Sequence, residues 1–308
     1  MAICAKYKNW YDINIYNVET LHLKDNIKML QIDYIKMSGA GNSFTIVDAR
    51  DEKYEFSRKQ IREISQEEKT KCDQFIVIRS SFKANCAIEI FNNDGSRVGA
   101  CGNASRCIAY LMIQESISEE VSIETDYDIL ECRRRDDKIE VNMGIPRFNW
   151  RQIPLKKEIK SHKFRIKHPI IENWEFGAVN IGNPHLVTFI DHDIEDDIFF
   201  EVGPFLENHP LFPEKINVEF ANIIGPNHIK VRVWERGVGE TQACGSGACA
   251  VAAMAIKKSL VDESKKITVS FLGGDIYIKS NVTKSLNMIG DYKYIANGQL
   301  NLNNVRNS

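Results

Sequence analysis

The sequence predicts a mixed α/β (α+β) protein built of two similar halves. First, apolar runs of strand length alternate with helical patterns along the chain. Second, residues 101–107 (CGNASRC) resemble residues 244–249 (CGSGAC) after 143 positions (244 − 101), and each segment opens a small-residue helical pattern. Third, Gly41-Asn42 recurs as Gly182-Asn183 after 141 positions (183 − 42). One period of about 140 residues indicates domain duplication, because solenoid repeats are much shorter.

In the first half, regular patterns begin at Met29, which is a candidate start codon, and residues 1–28 form a loosely attached extension. Two glycines in 38–42 and the sequence Asn93-Asp94-Gly95 predict tight turns. Ser57 is a plausible N-cap for a helix over 57–68, and a second helix is expected over 101–114. Strands are expected at 30–37, 44–48, 75–78, 86–91, 121–124, 129–133 and 139–143.

The second half begins after a polar, basic connection over 146–163, where we place a domain boundary. Helices are expected at 201–208 and 248–256. Strands are expected at 174–180, 186–190, 217–223, 229–234, 267–271, 275–279 and 292–300. The predicted organisation is an extension (1–28), a first half (29–145) and a second half (146–289).

Composition excludes several classes of function. Of 308 residues, 43% are hydrophobic and 27% charged, as in globular proteins. The net charge of −2 gives no reason to expect nucleic acid or an anionic membrane as a partner. No apolar run approaches the roughly 18 residues of a membrane span, and polar residues interrupt 1–28, so no secretory signal is expected. We therefore expect a cytoplasmic protein with reduced thiols.

Cys244 lies where a loop becomes a helix, so backbone N–H groups and the helix dipole favour an anion there. A lone cysteine at such a turn is more often a small, buried and inert residue. The second copy at Cys101 favours a functional role. Because two related halves usually face each other across a cleft, we expect Cys101 and Cys244 to point into one cleft from opposite sides.

Two opposed thiols can invert a carbon, since one thiolate removes a proton while the other thiol returns one from behind. A thiol pKa near 8.5 is readily lowered at a helix start, and the two titrations would be coupled. The carbanion formed beside a carboxylate needs preorganised donors, which two converging helix starts would supply. Metal binding is disfavoured, because neither cysteine spacing matches the C-x₂₋₄-C pattern of zinc sites. No metal is therefore predicted.

Several polar residues accompany the cysteine pair: Asn42, Gln74, Asn92, Asn183, Asn217, Glu235 and Arg236. Singly, an Asn beside Gly is usually a turn former, and a Glu–Arg step is usually a surface pair. Together they suit a zwitterionic ligand, because Arg can bind a carboxylate and Glu an ammonium. His185 could handle protons or be a satisfied structural histidine.

These motifs resemble the diaminopimelate epimerase family. The resemblance covers about 29–300 and is carried by five segments, namely 39–42 (GAGN), 92–95 (NNDG), 100–103 (ACGN), 182–185 (GNPH) and 235–249 (ERGVGETQACGSGAC). It implies two similar domains, each a β-sheet wrapped around a central helix, with an active-site cleft between them. The last strand, within 290–302, would return to the first half. It also implies cofactor-independent interconversion of LL- and meso-diaminopimelate in lysine and peptidoglycan precursor biosynthesis, by a homodimer.

The resemblance also implies roles for individual residues. Cys101 and Cys244 would be catalytic, with Cys244 accepting and Cys101 donating the proton from LL to meso. His185 and Glu235 would tune the thiols. The reacting carboxylate would be held by Gly102, Asn103, Gly245 and Ser246. The rest of the substrate would be bound by Asn42, Gln74, Asn92, Asn183, Asn217, Glu235 and Arg236.

Two departures from the family pattern lie outside this ligand set. Ser38 stands where the family usually has His, and Ala104-Ser105 replaces Gly-Ala. Two other functions stay open. A proline or hydroxyproline racemase would share the cysteines but would not need Arg236 and several amides for a distal ammonium and carboxylate. An amino-acid-binding or redox-sensing protein with two closable thiols would bind its ligand without exchanging protons.

Overall fold

The computed structural model describes residues 29–52, 54–99, 101–303 and 306–307. The predicted extension over 1–28 lies outside them. Four α-helices occur in this part of the chain: α1 (Arg58–Gln66), α2 (Gly102–Glu115), α3 (Asp196–Glu207) and α4 (Gly245–Lys257). A short 3₁₀ turn covers Pro169–Ile171. None of the described helices is long and apolar enough to cross a membrane.

The first half of the described chain holds nine strands. They are β1 (Met29–Gly39), β2 (Asn42–Asp48), β3 (Tyr54–Glu55), β4 (Gln74–Arg79), β5 (Cys86–Asn92), β6 (Arg97–Val98), β7 (Glu120–Glu124), β8 (Ile129–Arg135) and β9 (Lys138–Asn142). The remaining strands are β10 (Phe176–Asn180), β11 (Pro184–Phe189), β12 (Asn217–Gly225), β13 (His228–Glu235), β14 (Gly239–Glu240), β15 (Ile267–Phe271), β16 (Gly274–Ser280), β17 (Leu286–Gly290), β18 (Lys293–Asn303) and β19 (Arg306–Asn307).

The two halves repeat one order of pairing. In the first half, β2 pairs in parallel with β4, β4 antiparallel with β5, and β5 in parallel with β7. In the second half, β11 pairs in parallel with β12, β12 antiparallel with β13, and β13 in parallel with β15. Helix α2, which starts after Cys101, follows the β4–β5 hairpin, and helix α4, which starts after Cys244, follows the β12–β13 hairpin. The duplication predicted from spacing is thus a repeat of topology, and the predicted mixed α/β class is confirmed.

Each half packs its strands around one apolar helix. Helix α2 contacts β1, β7, β8 and β9, whereas α4 contacts β10, β11, β12, β15 and β16. Both helices also contact β17 and each other. Ten of the 13 residues of α4 are buried, as expected for a helix covered by strands on several sides. The two halves therefore meet where the two helices contact each other and β17.

Two strand pairings join the halves. Strand β17 pairs antiparallel with β16 on one side and with β9 on the other. Strand β18 pairs antiparallel with β1, from Met29↔Asn303 to Ser38↔Lys293. The described strands other than β3 and β19 therefore form one continuous 17-stranded sheet system. The domain limits at 145/146 and 289/290 stay a prediction.

Local differences from the expected elements have physical reasons. The predicted turn over 38–42 forms, but the left-handed residues are Ala40 and Gly41 rather than the two glycines. Helix α3 begins at Asp196, whereas the sequence predicts a start at 201. The acidic residues of its first turn resemble a polar loop in the sequence. Acidic side chains there favour a helix through its dipole. Strand β17 was missed. Ser57 caps α1, and Gln60 completes a capping box with it.

Candidate active site

A cysteine forms the N-cap of each central helix. Cys101 precedes α2 with φ −147° and Cys244 precedes α4 with φ −126°, so both are extended residues at the point where the chain turns helical. Their carbonyl groups accept the first helical bonds, from the N–H of Ser105 and of Ala248, each at 2.9 Å. The N–H groups of the first turns have no partner within their helices. Each cysteine thus stands beside a positive helix end.

The two helix starts lie against each other. A Cβ built on Gly245 would lie 3.3 Å from the Cα of Gly102 and 3.2 Å from Asn103 Oδ1. Asn103 Nδ2 also donates to the carbonyl oxygen of Ala243 at 3.3 Å. Beneath the contact lies Met288, whose sulfur is 2.9 Å from the same built Cβ. Glycine at 245 leaves room for this approach, since a Cβ there would require Met288 to shift. The two cysteine segments therefore lie next to each other.

Burial dominates the ionisation of both thiols. Cys244 is 6% exposed, and its sulfur accepts the Gly247 N–H at 3.4 Å. Burial raises the pKa of Cys101 to about 11, although the N–H groups of Ala104 and Asn103 act in the opposite direction. Burial also raises the pKa of Cys244 well above its ordinary value, helped by nearby carboxylates. The lowering expected at a helix start is therefore present but is outweighed by desolvation.

The charge of Glu235 acts on both thiols. Its Oε1 accepts the Thr241 hydroxyl at 2.6 Å. Burial raises the pKa of Glu235, and hydrogen bonds from Thr241 and from the Cys244 thiol partly counteract this. Its negative charge raises the pKa of both Cys101 and Cys244. Glu235 thus acts on the ionisation of both thiols in the free protein, and its role in catalysis stays a prediction.

His185 is fully buried and bonded at both ring nitrogens. Nδ1 lies 2.6 Å from Glu219 Oε1, and Nε2 lies 2.8 Å from Asn183 Oδ1. The ring therefore bridges Asn183 and Glu219. A positive charge on His185 also acts to lower the pKa of Glu235. His185 therefore joins the predicted Asn183 to a carboxylate that the sequence did not single out.

Glu219 is that missed residue. It is fully buried in β12, and its Oε2 has no hydrogen-bond partner in the described part of the chain. A Cβ on Gly247 would lie 2.9 Å from Glu219 Oε1 and 3.3 Å from Cys244 Sγ, so this carboxylate is close to the thiol. The available signal was its position two residues after Asn217, which places both side chains on one face of the strand.

The amides of the first half form two pairs. Asn103 Nδ2 donates to Asn42 Oδ1 at 2.6 Å, which joins the β1–β2 turn to the start of α2. Gln74 Nε2 donates to Asn92 Oδ1 at 3.3 Å across neighbouring strands. Two oxygen acceptors, Gln74 Oε1 and Asn103 Oδ1, are buried without a partner among the described residues. Such acceptors are costly unless a donor reaches them.

Asn217 and Arg236 are engaged with backbone. Asn217 Nδ2 donates to the carbonyl oxygen of Pro184, and its Oδ1 accepts the Arg236 N–H, both at 2.9 Å. The Arg236 guanidinium donates to the carbonyl oxygen of Glu214 at 3.0 Å. Asn217 thus holds the strand end that carries Glu235, and Arg236 would have to leave its carbonyl partner to bind a ligand. Ser246 lies within 3.5 Å of the Cys244 sulfur.

No group of three or more His, Cys, Asp or Glu side chains in the described ranges has a geometry that could hold a metal ion. The seven cysteines that the structure describes are all free thiols. That the protein works without a metal or an organic cofactor stays a prediction.

Comparison with known proteins identifies relatives of this chain. The family model for diaminopimelate epimerase matches residues 34–149 and 177–295. A diaminopimelate epimerase of Pelagibacter ubique is 39% identical over 277 residues, which cover 89% of this chain and all of that protein. One from Sphingopyxis alaskensis is 40% identical over 247 residues, covering 80% of this chain and 88% of its own.

Among solved structures, a hydroxyproline epimerase from Agrobacterium vitis has a similar fold. Its TM-score is 0.62 with 14% sequence identity, and the match covers 89% of this chain and 93% of that one. At this identity the likeness concerns the fold alone. The family match and the relatives of about 40% identity decide the assignment, and the chain belongs to the diaminopimelate epimerase family.

Proposed function

We propose that Cys101 and Cys244 are the two acid–base residues that interconvert LL- and meso-diaminopimelate at one α-carbon. The observation that carries this proposal is the contact between two cysteine-capped helix starts through Gly102 and Gly245. The activity itself is that of the family: an isomerase of lysine and peptidoglycan precursor biosynthesis. No chemistry in the scheme requires a cofactor.

The α-carboxylate of the substrate binds the free N–H groups at both helix starts, at Gly102, Asn103, Gly245 and Ser246. In the LL-to-meso direction, the Cys244 thiolate takes the α-proton and becomes a thiol. The Cys101 thiol gives its proton to the opposite face of the carbon and becomes a thiolate. The electron pair left on the α-carbon is stabilised through the carboxylate by the helix dipoles. The reverse reaction starts with Cys101 as the thiolate and Cys244 as the thiol.

Ionisation must accompany substrate binding, because burial disfavours both thiolates in the free protein. The Cys244 thiol donates to Glu235, a carboxylate whose pKa is itself raised by burial, so Glu235 can take the thiol proton. The ammonium group of a bound amino acid adds a positive charge that further favours a thiolate.

The amides and charged residues bind the rest of the substrate. Buried Gln74 Oε1 and Asn103 Oδ1 are acceptors for ammonium N–H groups. Arg236 would exchange its carbonyl partner for the distal carboxylate, for which a guanidinium provides two parallel donors. The remaining contacts would come from Asn42, Asn92, Asn183, Asn217 and Glu235.

Incubation with LL-diaminopimelate in D₂O under reducing conditions tests the reaction. The expected result is meso product with deuterium at one α-carbon. Cys101→Ala and Cys244→Ala should each abolish inversion. The control Cys132→Ala, which removes a buried thiol of β8, should retain inversion. Near-full turnover in either active-site variant would overturn the two-thiol mechanism.

Parallel incubations in D₂O with proline and with hydroxyproline separate the alternative functions. A proline or hydroxyproline racemase would label those amino acids and leave diaminopimelate unlabelled. A binding or sensing protein would retain the ligand without any label. Either result would contradict the proposed substrate.

A homodimer in the cytoplasm completes the proposal and is supported by family membership. Light scattering on the eluted protein should give twice the chain mass of 35.2 kDa, and a monomer mass would contradict the dimer. Immunodetection of the protein in cell fractions tests the cytoplasmic location. Enrichment in the membrane fraction or in the extracellular fraction would contradict a cytoplasmic location.

A further inference from the structure

Glu207, the last residue of α3, is a buried carboxylate that faces the turn after β13. It is 6% exposed. Its Oε2 accepts the Trp234 Nε1–H at 2.8 Å, and its Oε1 accepts the Gly237 N–H at 2.9 Å. Lys215 Nζ lies 3.4 Å from Oε1. A glutamate is seldom buried unless it is paired, and both oxygens of this one are engaged with donors of the second half.

Helix α3 is shaped to hold the indole that precedes this turn. Phe199, Gly203 and Glu207 follow one another at intervals of four residues, so they share one face of the helix. Phe199 meets Trp234 edge-on, with ring centroids 5.8 Å apart. A Cβ built on Gly203 would lie 2.8 Å from Trp234 Cδ2, so glycine leaves room for the indole there. The indole therefore packs on α3 with its N–H toward Glu207.

The turn between β13 and β14 is bonded by side chains at successive residues. Gly237 has a φ of +77°, a left-handed conformation that glycine adopts readily. Three side chains bond to the turn: Thr241 to the Glu235 carboxylate, Asn217 to the Arg236 N–H, and Glu207 to the Gly237 N–H. The backbone on both sides of the Arg236 side chain is therefore held in place.

The Arg236 side chain is the part of this turn that must move to reach a ligand. Its guanidinium donates to the neutral carbonyl oxygen of Glu214 at 3.0 Å. A guanidinium binds a carboxylate best through two parallel hydrogen bonds, and this requires a defined position of its plane. Because the backbone is held, the side chain alone needs to be ordered when a carboxylate binds, which lowers the entropic cost of binding.

We propose that Glu207 is a positioning residue for substrate binding, because its bond to the Gly237 N–H fixes the backbone from which Arg236 reaches the distal carboxylate. This inference rests on the proposed function, in which Arg236 binds that carboxylate. Glu207 itself touches neither the substrate nor a thiol. The distal carboxylate is remote from the reacting carbon, so losing the bond should weaken ground-state and transition-state binding alike, which raises KM and leaves kcat unchanged.

Glu207→Met tests the bond and its use in binding separately. Methionine has a similar length but is only a weak acceptor, so the Gly237 N–H loses its partner. Hydrogen–deuterium exchange of a peptide spanning 234–240, measured by mass spectrometry without substrate, should become faster, since local opening exposes these amides. In assays with LL-diaminopimelate, KM should rise about tenfold, as expected for losing a hydrogen bond to a charged group. The value of kcat should stay within about twofold of wild type.

Glu140→Met is the matched control. Glu140, in β9, is also a buried glutamate, 4% exposed, and accepts hydrogen bonds from Arg133, Arg135 and Asn287. Its replacement should lower stability without changing KM or the exchange of 234–240. If Glu207→Met does not fold by circular dichroism, Glu207→Asp withdraws both oxygens by one methylene and should change exchange and KM in the same direction.

The possible results separate the steps of the inference. Unchanged exchange in a folded Glu207 variant would show that Glu207 does not hold the turn. Faster exchange with an unchanged KM, or a fall in kcat without a rise in KM, would overturn its role in substrate binding. Failure of the proposed function would instead be visible in the wild type, as absence of meso product in D₂O, and not as a difference between variants.

Discussion

Replacing Glu219 by Gln gives a direct test of the buried carboxylate beside Cys244. Glutamine has nearly the same shape and keeps an oxygen acceptor for His185 Nδ1, now 2.6 Å from Glu219. It removes the negative charge that acts to raise the pKa of Cys244. The substitution therefore changes the field at the thiol while it leaves the packing of β12 largely intact.

The size of the effect follows from the geometry. Glu219 Oε1 and Cys244 Sγ lie 2.9 and 3.3 Å from one point, the built Cβ of Gly247. The two charges are therefore no more than about 6 Å apart. At an effective dielectric constant of about 20, they repel by about 3 kcal/mol, which corresponds to about a 100-fold change in the acid dissociation constant of the thiol. Glu219→Gln should lower the pKa of Cys244 accordingly, which speeds its alkylation at a fixed pH below that pKa by about 100-fold.

The assay is the pH profile of Cys244 alkylation, measured by peptide mass spectrometry. Glu207→Gln is the control, because Glu207 is also a buried glutamate of the second half but bonds to Trp234 Nε1 and the Gly237 N–H. It should lose stability without moving the Cys244 profile. A folded Glu219→Gln variant with an unchanged or slower Cys244 reaction would refute the electrostatic role of Glu219.

Three further outcomes are expected. Gly245→Ala places a Cβ 2.9 Å from the Met288 sulfur; it should lower the free energy of unfolding in urea by about 1–3 kcal/mol and reduce turnover. Gly225→Ala, with only an ordinary contact at 3.8 Å, is its control, and equal effects would count against the close helix contact. Ser57→Ala removes the cap of α1 and should cost about 1 kcal/mol in the same urea assay with turnover unchanged; a loss of turnover would contradict a purely local role. In the wild type, Cys101 alkylation should keep rising with pH up to about 11, since desolvation disfavours its thiolate, and a plateau near the ordinary thiol pKa of about 8.5 would show that burial does not dominate.

The duplication could be predicted because its signal is carried by spacing. Residues that open a helix after a cysteine recur at a fixed offset, and the structure places them at matching positions of two matching topologies. The offset of 143 also relates Gln74 to Asn217 (217 − 74), each the first residue of a corresponding strand, β4 and β12. Local sequence patterns and their spacing were thus sufficient to predict the fold class.

The buried charges could not be predicted in the same way. Glu219 and Arg106 each interrupt an apolar pattern, and in a single sequence such a residue resembles one on a solvent-facing position. Their burial depends on what covers them: α4 packs against β12, and the turn after β17 lies over Arg106. Strand β17 itself was not predicted, so the cover of Arg106 was invisible from the sequence. Long-range packing, rather than local propensity, decides these environments.

The pairing of β1 with β18 has a consequence for synthesis of the chain. Strand β1, the first strand of the described residues, pairs early with β2 but finds its second partner, over Lys293–Asn303, only when translation is almost complete. Strand β9 likewise waits for β17. A nascent first half therefore carries unpaired strand edges throughout elongation, and such edges invite association with other chains. The late closure therefore leaves the two outer strands of the first half without these partners until the last part of the chain has been made.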